Sequence, residues 1–241
     1  MDALFARMLQ ANASAMGISL SAVQLEQCIR YAALVVEWNE RMNLTSLVSP
    51  EDMAIKHFID SFTCLGVGTW PVGGKAVDVG TGAGFPGIPL AIMRPDLRWV
   101  LADALNKRIE FLKVVVRELG LEHVECVHAR AEEIGRQKEL REQCDVVVAR
   151  AVARLPVLLE YCLPLVRLQG GFLAMKGREA ATEMAEAQSA ARILGAAEPL
   201  VTELELPQEA GTRTLVWYTK IKKTPKTYPR RAGLPAKAPL Q

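Results

Sequence analysis

The stretch Asp78–Gly87, DVGTGAGFPG, decides how the rest of the chain is read. It follows a short apolar run and holds four glycines, no charge after the aspartate, and a proline where a helix should begin. Read from Gly82 it matches GxGxxG through Gly84 and Gly87, the pattern that cradles a dinucleotide pyrophosphate at a helix N-terminus. Read from Asp78 it is DxGxGxG: Asp78, Gly80, Gly82, Gly84. The two readings make opposite electrostatic demands. A carboxylate at the C-terminal end of a strand repels phosphate and suits a cation. S-adenosylmethionine carries an ammonium and a sulfonium and no phosphate, and a loop of glycines around Thr81 lets backbone approach its amino-acid and ribose portions. Asp103, which ends the next strand, can accept from ribose hydroxyls in either class of ligand. Asp78 therefore discriminates where Asp103 does not, and the loop is read as a methyl-donor site.

Outward from the loop, strands and helices alternate. Lys75–Val79, Arg98–Ala102, Val124–His128, Asp145–Ala149 and FLAMK (172–176) read as strands, with helices over Ile88–Arg94, Lys107–Leu119, Pro156–Val166 and Glu179–Leu194. The unbroken run DVVVA marks a strand covered on both faces. Glu198–Leu206 and Thr212–Ile221 follow without a helix between them and read as an antiparallel pair. This predicts an α/β fold: a Rossmann-like, doubly wound domain over residues 69–221, with a mostly parallel seven-stranded sheet and helices on both faces. Residues 1–68 read as a helical extension, in which Ser21 caps a long helix and Ser49 caps another that has Pro50 at its first position.

The chain has 241 residues, half of them hydrophobic, and a net charge of only +2. Its charge is uneven. Lys220, Lys222, Lys223, Lys226, Arg230, Arg231 and Lys237 stand in a C-terminal region without acids, which leaves −5 on the rest. A basic segment on a neutral-to-acidic body points to a polyanion met at one place. The last stretch, residues 222–241, is rich in proline and is expected to be extended or disordered by itself. Five scattered cysteines without a CxxC pair argue against a disulfide framework or a metal centre. No run reaches membrane-spanning length. A monomer of the reducing cytoplasm, with no metal and no membrane contact, is the expectation.

From WNERMNLTS (Trp38–Ser46), KHFIDSF (Lys56–Phe62), DVGTGAGFPGIPLAI (Asp78–Ile92), DALNKR, ARAEE, VVARAVA, MKG and TPKTYPRRAGLPAKAPL, the chain resembles the bacterial small-subunit ribosomal RNA guanine-N7 methyltransferases (methyltransferase G, formerly glucose-inhibited division protein B). The resemblance covers nearly the whole chain. One departure is visible: the family usually has serine after the second-strand aspartate, where this chain has Ala104. The resemblance implies that the Rossmann-like domain is a class I S-adenosylmethionine-dependent methyltransferase, with S-adenosylmethionine as cofactor and, as substrate, a guanine of 16S ribosomal RNA in the 530 loop, met as RNA or within the small ribosomal subunit. It also implies that Gly80, Phe85, Ala131, Glu132 and Arg150 contact the donor. Ala131 and Glu132, just past the third strand, can read adenine; Glu132 could equally be a helix-start acid. Phe85 can flank the sulfonium by cation–π attraction or be a core side chain. Arg150, at the end of strand four, can pair with the donor carboxylate, with Asp78 or with an RNA phosphate. Lys176, ending strand five, is read as a phosphate or base contact.

No compelling general base is found, and a guanine N7 acceptor needs none, because it presents a lone pair and no proton. Positioning alone can then supply about 7–11 kcal/mol of the barrier. His57, Asp60 and Ser61 share one helix face at i, i+3, i+4 spacing. With Asn43 in the preceding turn, His57 and Asp60 are expected to orient the target base; a helix-packing cluster is the other reading. His123 and His128 are read as structural. Phosphate grip falls to the basic residues of 220–237 (Lys220, Lys222, Lys223, Lys226, Arg230, Arg231 and Lys237), with Arg213 and Lys176, and Tyr228 is free to stack on a base or ribose. On this reading the tail serves RNA only, and its loss leaves donor binding intact. The alternatives are a methyltransferase for a small molecule or protein, which leaves the basic tail unexplained, and an RNA-binding module that only senses the donor.

Overall fold

The computed structural model describes residues 2–240. Its centre is a seven-stranded sheet in the order β3-β2-β1-β4-β5-β7-β6. The strands are β1 (Lys75–Val79), β2 (Arg98–Asp103), β3 (Val124–His128), β4 (Cys144–Arg150), β5 (Val166–Lys176), β6 (Leu200–Glu205) and β7 (Thr212–Thr219). The first five pair in parallel; β7 runs antiparallel to both β5 and β6. The late strand pair thus closes the sheet as the sequence pattern predicts. Strand β5 is longer than FLAMK alone: it begins at Val166, where a helix over Pro156–Val166 was expected. The helix there stops at Cys162, and Leu163–Leu165 turn the chain into the strand.

Strand periodicity divides the core in two. Ala76, Leu101, Val146, Val148, Leu173 and Trp217 face one side, where they pack with the helices α1 (Asp2–Ala15) and α2 (Ala22–Met42). Val77, Val100, Val147, Ala149, Phe172 and Tyr218 face the other. Strand β4 contributes to both, as its unbroken apolar run requires.

The N-terminal helices do not form a lobe of their own. Phe5, Tyr31 and Phe58 join the core that also contains Ile88 and Leu101. Ser21 caps α2 in a capping box with Gln24, and Ser49 caps α3 (Pro50–Asp52), whose first residue is Pro50. The helical stretch then widens into a π-helical segment, Met53–Ile59, before α4 (Asp60–Phe62). Such segments are uncommon and often mark functional positions. On the same face as α1 and α2 lie α5 (Gly87–Met93) and α6 (Asn106–Glu118), which add Ile88, Leu90, Phe111 and Leu112 to the first core; α7 (Ala131–Ile134), α8 (Leu155–Cys162) and α9 (Ala180–Leu194) cover the other face, with α10 (Leu234–Lys237) against α8.

The C-terminal tail departs from expectation. It is folded back on the second core, where Tyr228 and Leu240 pack, and body side chains meet its polar groups. Arg141 donates to the carbonyls of Tyr228 (2.8 Å) and Thr224 (3.1 Å), and Arg136 to that of Pro229 (2.6 Å). The buried Glu160 carboxylate takes the Arg230 backbone N–H (2.7 Å) and its guanidinium (2.6 Å). Proline-rich composition forecasts little self-structure but says nothing about partners supplied from elsewhere in the chain.

Candidate functional site

Between β1 and β4 the strand order reverses, and parallel sheets bind ligands in the crevice at that point. The loop after β1 lies there. Gly80 has φ of +69°, and a side chain on it would meet Val152, 2.6 Å away, from the loop after β4. Only glycine satisfies both conditions without strain. Gly87 opens α5, and its N–H, the first orphan donor of that helix, gives its hydrogen bond to Asp78 Oδ2 at 2.8 Å. A Cβ at Gly87 would lie 2.7 Å from that oxygen. Thr81 Oγ1 donates to the same oxygen at 2.7 Å. The helix end that would hold a pyrophosphate is therefore closed by a carboxylate, which speaks against the pyrophosphate reading of the loop.

Asp78 is fully buried, and its Oδ1 has no hydrogen-bond partner. Burial raises its pKa to about 6, despite hydrogen bonds from Thr81 and Gly87 and the charge of Arg150. A buried, half-satisfied carboxylate is an electrostatic cost that a nearby cation would relieve. The residues thus fit a cationic ligand.

Next to this loop is a cavity of about 400 Å³. It is lined by Gly80, Asp103, Ala104, Leu105, Ala131, Glu132 and Val152, together with Tyr161, Gly233 and Ala236. The size suits a small-molecule site. Asp103 Oδ2 accepts from Gly82 N (2.9 Å) and Arg108 (3.2 Å), and Oδ1 from Leu105 N (2.8 Å), so the carboxylate is held rigidly at the cavity wall. Glu132 is buried and accepts from the backbone N–H of Gly233 at 2.8 Å, a tail contact the sequence did not reveal. Of the expected donor-binding residues, Gly80, Asp103, Ala131 and Glu132 line this cavity. Asp78 and Thr81 stand behind it and shape the loop, Gly82 ties the loop to Asp103, and Gly84 lies under Tyr31. A larger groove, about 860 Å³, lies between α8, α9 and the C-terminal segment and shares Ala236 with the donor cavity, but none of that cavity's acidic or glycine-loop residues lines it.

Phe85 and Arg150 belong to a second, adjoining cluster. Arg150 donates to Asp60 Oδ2 (3.0 Å), to the Lys56 carbonyl (3.1 Å) and to His57 Nδ1 (3.1 Å). Asp60 Oδ1 accepts from Arg213 Nε at 2.9 Å. Because His57 Nδ1 accepts, its proton sits on Nε2, 2.9 Å from Thr45 Oγ1. Burial and the Arg150 charge depress the His57 pKa to about 3, so the ring stays neutral. That ring stacks on Phe85 with centroids 4.3 Å apart, and Arg150 lies over the same phenylalanine at 5.4 Å.

This cluster revises several assignments. Asp60 and His57 are brought together as their spacing implies, but Asp60 spends both oxygens on arginines and His57 both ring nitrogens on Arg150 and Thr45. Ser61 Oγ donates back to the His57 carbonyl. Asn43 caps α2 in the left-handed conformation and is exposed, apart from the cluster. Arg150 pairs with Asp60 rather than with Asp78. Lys176 is committed to Glu183 (2.7 Å) and the Ala153 carbonyl (2.8 Å).

Among the basic residues of the C-terminal region, Lys222, Lys223, Lys226, Arg231 and Lys237 are exposed. Arg230 is bound to Glu160, Tyr228 is half-buried against the core, and Lys220 is buried with Nζ on the Leu163 carbonyl (2.6 Å). His123 and His128 each bond a backbone carbonyl, of Ala91 and Ala104. Among the described residues, no helix is long and apolar enough to cross a membrane, and no group of three metal-ligating side chains occurs.

Tyr31, Thr45 and Val152 were missed in the sequence. Tyr31 Oη donates to the Ala83 carbonyl at 2.6 Å and so holds the glycine loop from the N-terminal helices. The NLTS and VVARAVA runs contained Thr45 and Val152, but no spacing rule singled them out.

Solved structures with the same fold include a predicted O-methyltransferase from Agrobacterium tumefaciens (TM-score 0.55, 14% identity, 68% of this chain and 84% of that one). Another is a geranyl diphosphate methyltransferase in complex with GPP and sinefungin (TM-score 0.56, 12% identity, 83% of this chain and all of that one). A curated relative, the ribosomal RNA small subunit methyltransferase G of Desulforamulus reducens, is 47% identical over 88% of each chain. The family described as GidB, rRNA small subunit methyltransferase G, matches residues 24–212. With an acid-closed glycine loop at the switch point of a class I methyltransferase sheet, and this kinship along most of its length, the chain belongs to the rRNA small subunit methyltransferase G family.

Proposed function

We propose that this chain, as a cytoplasmic monomer, transfers the methyl group of S-adenosylmethionine to N7 of a guanine in 16S ribosomal RNA. The observation that carries the donor class is the Asp78 carboxylate, which occupies the first amide of α5 and keeps one oxygen unpartnered. The RNA substrate rests on the relatives named for small-subunit rRNA.

When bound, S-adenosylmethionine supplies an electrophilic methyl group on a sulfonium. Gly80 and Ala131 would offer backbone to it beside the cavity, Asp103 would accept from its ribose hydroxyls, Glu132 would read its adenine, and Asp78 would balance its positive charge. Guanine N7 carries no proton, so none of these residues has to act as a base. His57, neutral at working pH, and Asp60 serve as positioning residues: they fix the guanidinium groups of Arg150 and Arg213. Both arginines keep spare N–H donors. A donor aimed at N7 would occupy the lone pair that must react, so these donors are assigned to phosphate oxygens of the flipped nucleotide. The exposed lysines and Arg231 of the tail extend the grip along the backbone.

Calorimetric titration with S-adenosylhomocysteine and NAD, side by side, tests the donor class; saturable binding of NAD alone would overturn it. Mapping methylated nucleotides in 16S ribosomal RNA from a deletion strain tests the acceptor. The expected result is loss of one N7-methylguanine, restored by the intact gene.

A further inference from the structure

We infer that the C-terminal segment completes the donor cavity, so that donor and RNA binding are coupled through its docking. The inference rests on the methyl-donor reading of that cavity. Gly233 and Ala236 form part of the cavity wall. Glu132, on the opposite side of the contact, takes the Gly233 N–H at 2.8 Å. The same segment turns Lys222, Lys223, Lys226, Arg231 and Lys237 to solvent. Gly233 and Ala236 thus border the small ligand while neighbouring residues of the same segment present cations to a polyanion.

Besides Glu132, the segment is held by residues outside the cavity lining. Glu160 bonds Arg230, and Arg136 donates to the Pro229 carbonyl at 2.6 Å. Neither Glu160 nor Arg136 lines the cavity. Any ligand that contacts the docked wall favours docking, and docking sets the arrangement of the cations; linkage then makes the effect reciprocal. The expectation of a tail that serves RNA alone is replaced by a tail shared between both sites.

The test uses the full chain with Arg136→Ala, an exposed position, and separately Glu160→Gln. Titration with S-adenosylhomocysteine should give a Kd raised about 5-fold or more in each variant. In the unaltered chain, saturating S-adenosylhomocysteine should slow hydrogen exchange at the Gly233 amide and tighten binding of a 16S rRNA transcript. That tightening should shrink toward unity in Arg136→Ala. Because it is a ratio within one variant, loss of the Arg136 charge itself cancels. Unchanged Kd in Arg136→Ala together with unaltered Gly233 exchange overturns the coupling while leaving the donor reading intact. No binding of S-adenosylhomocysteine by the unaltered chain overturns the donor reading and the coupling with it.

Discussion

Replacing Asp78 by Asn should make the ligand-free protein's stability less sensitive to pH, with a sign opposite to the usual carboxylate. Most native carboxylates are stabilised by folding, and their contribution is lost as pH falls. Asp78 is the reverse case: fully buried, with Oδ1 unpartnered, it has its pKa raised from 3.8 to about 6. Its contribution is therefore fully present below the unfolded value and is lost as pH rises through about 6. A shift of about two units corresponds to about 3 kcal/mol, of which about 2 kcal/mol falls between pH 4.5 and 7.5. Asparagine keeps an acceptor for Thr81 and Gly87 and cannot ionise. Urea unfolding followed by tryptophan fluorescence, at several pH values without ligand, gives the difference between parent and variant, in which all other titrations cancel. The parent should lose about 2 kcal/mol relative to Asp78→Asn over that interval. A difference that stays flat within about 0.5 kcal/mol would show that the carboxylate is solvated or paired, and would refute the argument that the site holds an uncompensated charge for a cation to relieve.

Asp60→Asn leaves Arg150 and Arg213 without their shared carboxylate; since both guanidinium groups retain some solvent, the cost should fall near the low end for a broken buried pair, about 3 kcal/mol by urea unfolding, with a fall in kcat/KM for RNA. His57 stays neutral down to about pH 3, so the pH profile of methyl transfer should show no inflection near 6.5 that disappears in His57→Asn. Gly87→Ala places a methyl against the Leu101 side chain and 2.7 Å from Asp78 Oδ2, and should cost about 1–3 kcal/mol and weaken S-adenosylhomocysteine binding in the same calorimetric titration. A Lys223→Ala/Lys226→Ala/Arg231→Ala triple variant should lower the slope of log K against log salt for RNA by about two to three, whereas Arg230→Ala should mainly lower the unfolding midpoint.

What could be read along the chain was whatever depends on near neighbours. The unbroken apolar run DVVVA, the caps at Ser21 and Ser49, and the acid before the glycines all act within a few residues, so local pattern carried the seven strands, most of the helices and the glycine loop, but it ran the helix at Pro156 on to Val166, where β5 begins. The partners of charged groups are another matter. Asp60 meets Arg150 and Arg213, which lie 90 and 153 positions away in the chain. Arg230 meets Glu160 across 70. A sequence shows that a side chain is charged but not which distant element will stand opposite it. Nor does it show whether the group ends in solvent or, like Asp78 Oδ1, buried without a partner. Only the closing of the sheet, which sets N-terminal helices against one face and the tail against the other, decided that His57 and Asp60 hold arginines, that Arg230 and Lys220 are withdrawn from any RNA, and that the tail reaches the cavity wall.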